Sequence, residues 1–254
     1  MRISACVIAC VGLFSVTLLS APADDKTTKN STAPHVAYLF EARRPPGNVR
    51  VPIAGGVVVS HNNEHYILCN LHPLLQYAEF DTNSDNRKVF ARWQKIYIET
   101  NGKSGSAEVI WPPGDPATYE RDLALLKIED GASQNLSPIE MSSLLVRSTN
   151  PELTNGLVVG PIRGHRNSEP ITLPPGRQAN GGVYWVFSSK VFSPGQSGSM
   201  IYQTNTAGQL IFHGIVIGNH EVTTNGERKL SGVALTRTSV ARFLQGFMSD
   251  NESR

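Results

Sequence analysis

Apolar residues in this chain come in short runs separated by turn-forming residues, and this pattern constrains the fold more than any other feature. Val36–Phe40, Ile53–Val59, His65–Cys69, Asp122–Ile128, Leu157–Gly160, Val183–Phe187, Met200–Tyr202, Leu210–Ile217 and Gly232–Leu235 each have strand length. Lys95–Glu99 alternates and is followed by Asn101-Gly102 and then Ala107–Trp111, which is a hairpin signal. Only Thr238–Met248 carries a helical period, with Val240, Phe243, Leu244 and Phe247 on one face and Thr238 or Ser239 as its cap. Many short strands and one terminal helix predict an all-β protein. Glu129–Asn155 is polar and irregular, and reads as the link between two halves. No internal repeat is present.

The N-terminus has the layout of an export signal over residues 1–23. Met1-Arg2 is a positive start, Ile3–Leu19 is apolar, and Ala21-Pro22-Ala23 fits a small-x-small cleavage site. The alternative is a retained anchor, since an apolar run of about 17 residues is at the lower limit of a spanning helix. Residues 24–35 are polar and read as a disordered lead-in. Cys6 and Cys10 fall inside the signal, so Cys69 alone remains after cleavage and no internal disulfide can form. The net charge of +2 loses only Arg2 with the signal, which points to neither a nucleic-acid nor a membrane-surface partner. The protein is therefore expected to be exported, secreted or periplasmic, without stable membrane contact once cleaved.

Three polar residues sit at the edges of apolar runs. His72 follows Tyr66–Leu71, Asp122 opens Asp122–Ile128, and Ser197 lies in Ser193-Pro194-Gly195-Gln196-Ser197-Gly198-Ser199. A serine hydroxyl needs a base to become a nucleophile. A neutral imidazole can serve near pH 7, and a carboxylate behind it fixes the tautomer and stabilises the imidazolium. Glycines around the serine let a substrate carbonyl approach backbone N–H groups. The order His, Asp, Ser disfavours an α/β-hydrolase, whose acid and histidine follow the serine. No phosphate-binding glycine loop occurs. His61-Asn62-Asn63-Glu64-His65 matches a zinc-peptidase pattern, but that chemistry needs both histidines on one helical face, and here the pattern spans a turn between strands. No metal and no cofactor is expected. His213 and His220 read as cleft-side or surface histidines, and Cys69 as a buried strand residue.

The segments around His72, Asp122 and Ser197 together resemble the trypsin-like serine proteases, most closely the bacterial HtrA/Deg branch. Tyr66–His72 is similar to that family's histidine segment, including Asn70 two residues before the histidine. Asp122–Ile128 is similar to the aspartate segment and Pro194–Ser199 to the serine segment. Gly214-Ile215-Val216, Gly232–Leu235 and the final helix fit the same family, and the resemblance covers about residues 36–248. It implies two six-stranded β-barrels, with residues 36–130 forming the first, 131–155 a linker, 156–235 the second and 236–249 a C-terminal helix. No PDZ-like domain is expected after that helix.

The resemblance further implies a serine endopeptidase acting on a protein or peptide substrate. His72, Asp122 and Ser197 would be catalytic, and the N–H groups of Gly195 and Ser197 would form the oxyanion hole. Val191, six residues before Ser197, would be an apolar floor of the specificity pocket, beside Phe192 and with Gly232 on the wall. A one-residue slip would bring Lys190 there instead. The chain departs from the family at Gln196, where digestive proteases have aspartate, at Ser199, where a second glycine is usual, and at Pro73, which follows His72 directly. Gln196 argues against activation through a newly cut N-terminus. Pro73 and Gln196 are also what an alternative would rest on, a binding module of this fold without turnover.

Overall fold

The computed structural model describes residues 35–40, 51–116, 119, 121–129, 136–145, 152–163, 165–167, 169–224 and 227–252. The expected signal 1–23, all of the lead-in but His35, and parts of the 131–155 link lie outside the described residues. What is described is mostly strand, with one closed barrel and a C-terminal helix.

The first half contains β1 (Val36–Phe40), β2 (Pro52–His61), β3 (Glu64–Cys69), β4 (Ala78–Thr82), β5 (Lys88–Trp93), β6 (Ile96–Thr100), β7 (Lys103–Trp111) and β8 (Ala124–Ile128). Six of these pair in the order β1-β6-β7-β8-β3-β2, and β2 pairs back onto β1, which closes the barrel. Side chains alternate along a strand, and here both faces are buried. Ala37, Leu39, Ala54, Val58, Ile67, Cys69, Ala124 and Leu126 fill the barrel interior. Their neighbours Val36, Tyr38, Val57, Val59, Tyr66, Leu68 and Leu125 point outward into a second apolar cluster. That explains why the strands read as continuous apolar runs. Two turns carry the expected chemistry: Asn62-Asn63 joins β2 to β3 and Asn101-Gly102 joins β6 to β7, all four residues with positive φ.

The hairpin β4–β5 stands apart as a two-stranded sheet, and it is absent from the sequence reading. In the expected linker, β9 (Ile139–Glu140) adds a parallel edge to β2, and α1 (Met141–Leu144) buries Met141 and Leu144.

The second half contains β10 (Glu152–Leu153), β11 (Leu157–Val159), β12 (Ile171–Thr172), β13 (Gly176–Ala179), β14 (Tyr184–Phe187), β15 (Met200–Thr204), β16 (Leu210–Thr224) and β17 (Glu227–Thr236). They form one antiparallel sheet in the order β10-β13-β14-β17-β16-β15-β11-β12. Among the described residues no pairing joins the outer strands β10 and β12. The described strands of the second half thus form one eight-stranded sheet, and closure into the expected second barrel is not shown among them.

The final helix α2 spans Arg237–Glu252, a few residues longer than expected, and buries Val240, Phe243, Leu244 and Phe247. Its cap is Thr236, earlier than either expected residue. The Thr236 hydroxyl accepts the Ser239 N–H at 3.3 Å while donating to the Gly182 carbonyl at 2.6 Å.

Candidate active site

β3 ends at Cys69, and the chain turns through Asn70 and Leu71 into a 3-10 helix, His72–Tyr77. Pro73 sits in its first turn, where a helix leaves N–H groups unpaired, so the missing donor costs nothing there. Asp122 is fastened to this corner by three hydrogen bonds. The Asn70 amide donates to the Asp122 carbonyl at 2.9 Å, and the His72 backbone N–H donates to Oδ1 at 2.8 Å. The ring Nδ1 of His72 lies 2.7 Å from Oδ2. A carboxylate can only accept, so Nδ1 carries the hydrogen and Nε2 is left as an acceptor. Ser197 Oγ is 3.0 Å from that Nε2 and 2.9 Å from the Ile217 carbonyl oxygen. Its single hydroxyl hydrogen can serve only one of the two at a time. When it goes to Nε2, the serine is set up to lose its proton to the imidazole as the oxygen attacks.

Ser197 is presented by the loop Ser193–Ser199. The Ser197 carbonyl accepts the Gly55 N–H at 2.8 Å, and Gly198 N–H donates to the Val216 carbonyl at 2.9 Å. Gly195 and Gly198 have φ of +86° and +82°, in the left-handed region that favours glycine. The N–H groups of Gly195 and Ser197 have no acceptor among the described residues. Such unpaired donors beside a nucleophile can stabilise an oxygen that becomes negative during acyl transfer.

A cleft of about 460 Å³ opens over these groups, lined by His72, Asp122, Phe192–Gly195, Ser197 and Ile217–His220. Of the three expected pocket residues only Phe192 lines it. Val191 is 52% exposed and lies outside the lining, and so does Lys190. Counting back from the serine gives a position in the chain but not a side-chain direction, and Val191 points to solvent. The Phe192 ring is 2% exposed and packs edge-on against Phe187. Gly232 does leave room, but Phe192 takes it: a Cβ on Gly232 would lie 2.7 Å from the Phe192 ring. Asn219 was not singled out from the sequence. Its side chain accepts the Phe192 N–H at 2.6 Å and donates to the Phe192 carbonyl at 2.8 Å, tying two walls of the cleft together. Asn two residues after an apolar strand core carries no sequence signal of such a role.

His220 lines the cleft, as expected, whereas His213 is buried in the protein interior. The His61–His65 pattern lies across the β2–β3 turn, not on a helix. Glu64 there is engaged by Lys127 and by the Tyr66 hydroxyl, each at 2.5 Å, and these partners hold its carboxyl below the usual range. Cys69 is fully buried, and burial first, then the Asp122 charge, pushes its thiol far above the usual value.

No protein-family model matches the chain, and no curated protein matches it.

Proposed function

We propose that this protein is a serine endopeptidase of trypsin-like, two-barrel fold, exported from the cell and acting on protein or peptide substrates. The observation that carries the reading is the hydrogen-bonded series Asp122–His72–Ser197 at the floor of an open cleft. Ser197 attacks the peptide carbonyl, His72 takes the hydroxyl proton and passes it to the leaving amine, and Asp122 holds His72 in the needed tautomer. The acyl-enzyme is then cleaved by water activated through His72. The unpaired N–H groups of Gly195 and Ser197 would hold the oxyanion in both steps. Pro73 and Gln196 lend no weight to a binding module without turnover, because Pro73 fits its helical turn and Gln196 leaves the serine within reach of His72.

A fluorophosphonate probe with a casein or peptide-library assay tests this. Wild-type protein should be labelled and should cleave. Ser197→Ala and His72→Ala should each lose roughly 1,000-fold or more in kcat, as removal of one member of a Ser-His-Asp triad does, with little change in Tm. Near-normal cleavage by either variant would overturn the assignment.

A further inference from the structure

The residue before the nucleophile is a buried amide, and its bonds close on the loop that carries the unpaired donors. Gln196 is 2% exposed. Its Oε1 accepts the Ser193 N–H at 2.7 Å, and its own backbone N–H donates to the Ser193 carbonyl at 3.1 Å. These two bonds form a closed ring around Pro194-Gly195. From outside the ring, the Pro194 carbonyl accepts the Arg163 N–H at 2.9 Å. A trans peptide is planar, with its N–H and C=O pointing in opposite directions. Tying the Pro194 carbonyl to Arg163 therefore turns the Gly195 N–H the other way, where no described residue accepts it. Were this peptide to flip, the Pro194 oxygen would stand where the Gly195 hydrogen now points, and it would repel a developing oxyanion.

We propose that Gln196 is a positioning residue that holds the Gly195 N–H in its anion-binding orientation in the resting protein. The inference rests on the serine-peptidase reading above. The side chain acts through length and acceptor character: Oε1 pairs the Ser193 backbone N–H, which has no other acceptor among the described residues. Removing it frees the Ser193 N–H and opens one side of the ring, which leaves the Pro194–Gly195 peptide held only by the Gln196 N–H to Ser193 carbonyl bond and by Arg163. Ground-state substrate contacts along Ile217–His220 are untouched, so the loss belongs to the transition state.

Gln196→Met keeps the length and removes the acceptor, while Gln196→Glu keeps an acceptor at the same reach. The methionine variant should lose about 100-fold in kcat, of the order seen when one oxyanion donor is removed, with KM little changed. Its affinity for a peptide aldehyde should fall in parallel, while its affinity for the product peptide stays the same. Gln196→Glu should restore most of the rate. Gln196→Asn, polar but one methylene shorter, should show the same kcat loss and serves if the methionine variant does not fold. Wild-type kcat in a folded Gln196→Met or Gln196→Asn variant, or a loss confined to KM, overturns the proposal. Wild-type protein that takes no fluorophosphonate label would remove the peptidase reading and this proposal with it. Labelled wild type with unaffected Gln196 variants would remove this proposal alone.

Discussion

His213 shows what a single buried polar residue does to this protein. It sits on β16 with 8% exposure, and its ring Nε2 has no hydrogen-bond partner among the described residues. Burial lowers its pKa from the ordinary 6.5, and the Arg237 charge lowers it further. His35 is shifted the same way by burial, partly opposed by its bond to the Ser137 carbonyl. In the unfolded chain both rings gain a proton as pH falls through 6.5, while in the folded protein they stay neutral to lower pH. The unfolded state then binds more protons, so the contribution to stability is present above pH 6.5 and is lost as pH falls toward the folded pKa values. Tm should therefore drop between about pH 7 and 5, ahead of carboxylate titration. His213→Phe should flatten part of that slope in a pH series of melting curves, and an unchanged slope would show that His213 does not contribute. The sequence could not reveal this, because a histidine next to an apolar run reads alike whether it faces core or solvent. His72 was readable because its apolar flank, the Asp122 segment and the Ser197 loop each point to the same chemistry.

The two stretches flanking the cleft, Lys190–Ser193 and the middle of β16, decide what can bind beside Ser197. Asn219 ties β16 to the backbone of Phe192, and the Phe192 ring fills the space over Gly232. A substrate side chain could go deeper only by expelling that ring from the core, at about 1.5–3 kcal/mol. That is roughly a 10- to 150-fold penalty, and an added methylene in an apolar pocket gains at most a comparable amount. A peptidase built this way should cleave after small residues such as Gly, Ala or Ser, and Asn219→Ala should broaden the choice toward larger apolar ones. Profiling both proteins with a mixed peptide library checks this, and a wild-type preference for Arg, Lys or Phe contradicts it. Elements were readable where they are buried. In β17 only Ser231–Thr236 is buried, and the sequence reading found just Gly232–Leu235. Glu227–Leu230, exposed throughout, and the largely exposed pair β4–β5 gave no apolar signal to follow.

At the scale of the whole molecule, three apolar clusters among the described residues divide the work. One fills the barrel and a second, around Trp185 and Phe187, backs the eight-stranded sheet. The third lies between them and gathers outward faces of β1, β2 and β3 with Met200, Phe212 and Ile215, closed over by Phe243, Leu244 and Phe247 of α2. The site straddles this seam: His72 and Asp122 come from the barrel side and Ser197 from the sheet side. The terminal helix was readable in the sequence, but the contact between the barrel and the sheet was not, because glycines bring their backbones together. A Cβ on Gly198 would stand 2.0 Å from the Gly55 carbonyl oxygen, and one on Gly55 would stand 3.0 Å from Pro161 Cδ and 3.1 Å from Ser199 Oγ. Glycine at 198 thus lets the backbones of the two halves meet, and the Gly55 N–H to Ser197 carbonyl bond at 2.8 Å depends on that approach. Gly198→Ala adds left-handed strain of about 1–2 kcal/mol and also pushes Gly55 away, shifting Ser197 relative to His72. Gly208 is the matched comparison, with φ of +77° and nothing within 4 Å of its missing Cβ. Gly208→Ala should lose only the strain, as a modest drop in Tm, and keep full cleavage and fluorophosphonate labelling. Gly198→Ala should lose more Tm and most of both activities. Equal losses in the two variants would show that the seam tolerates a methyl group and that the alignment of Ser197 with His72 does not depend on it.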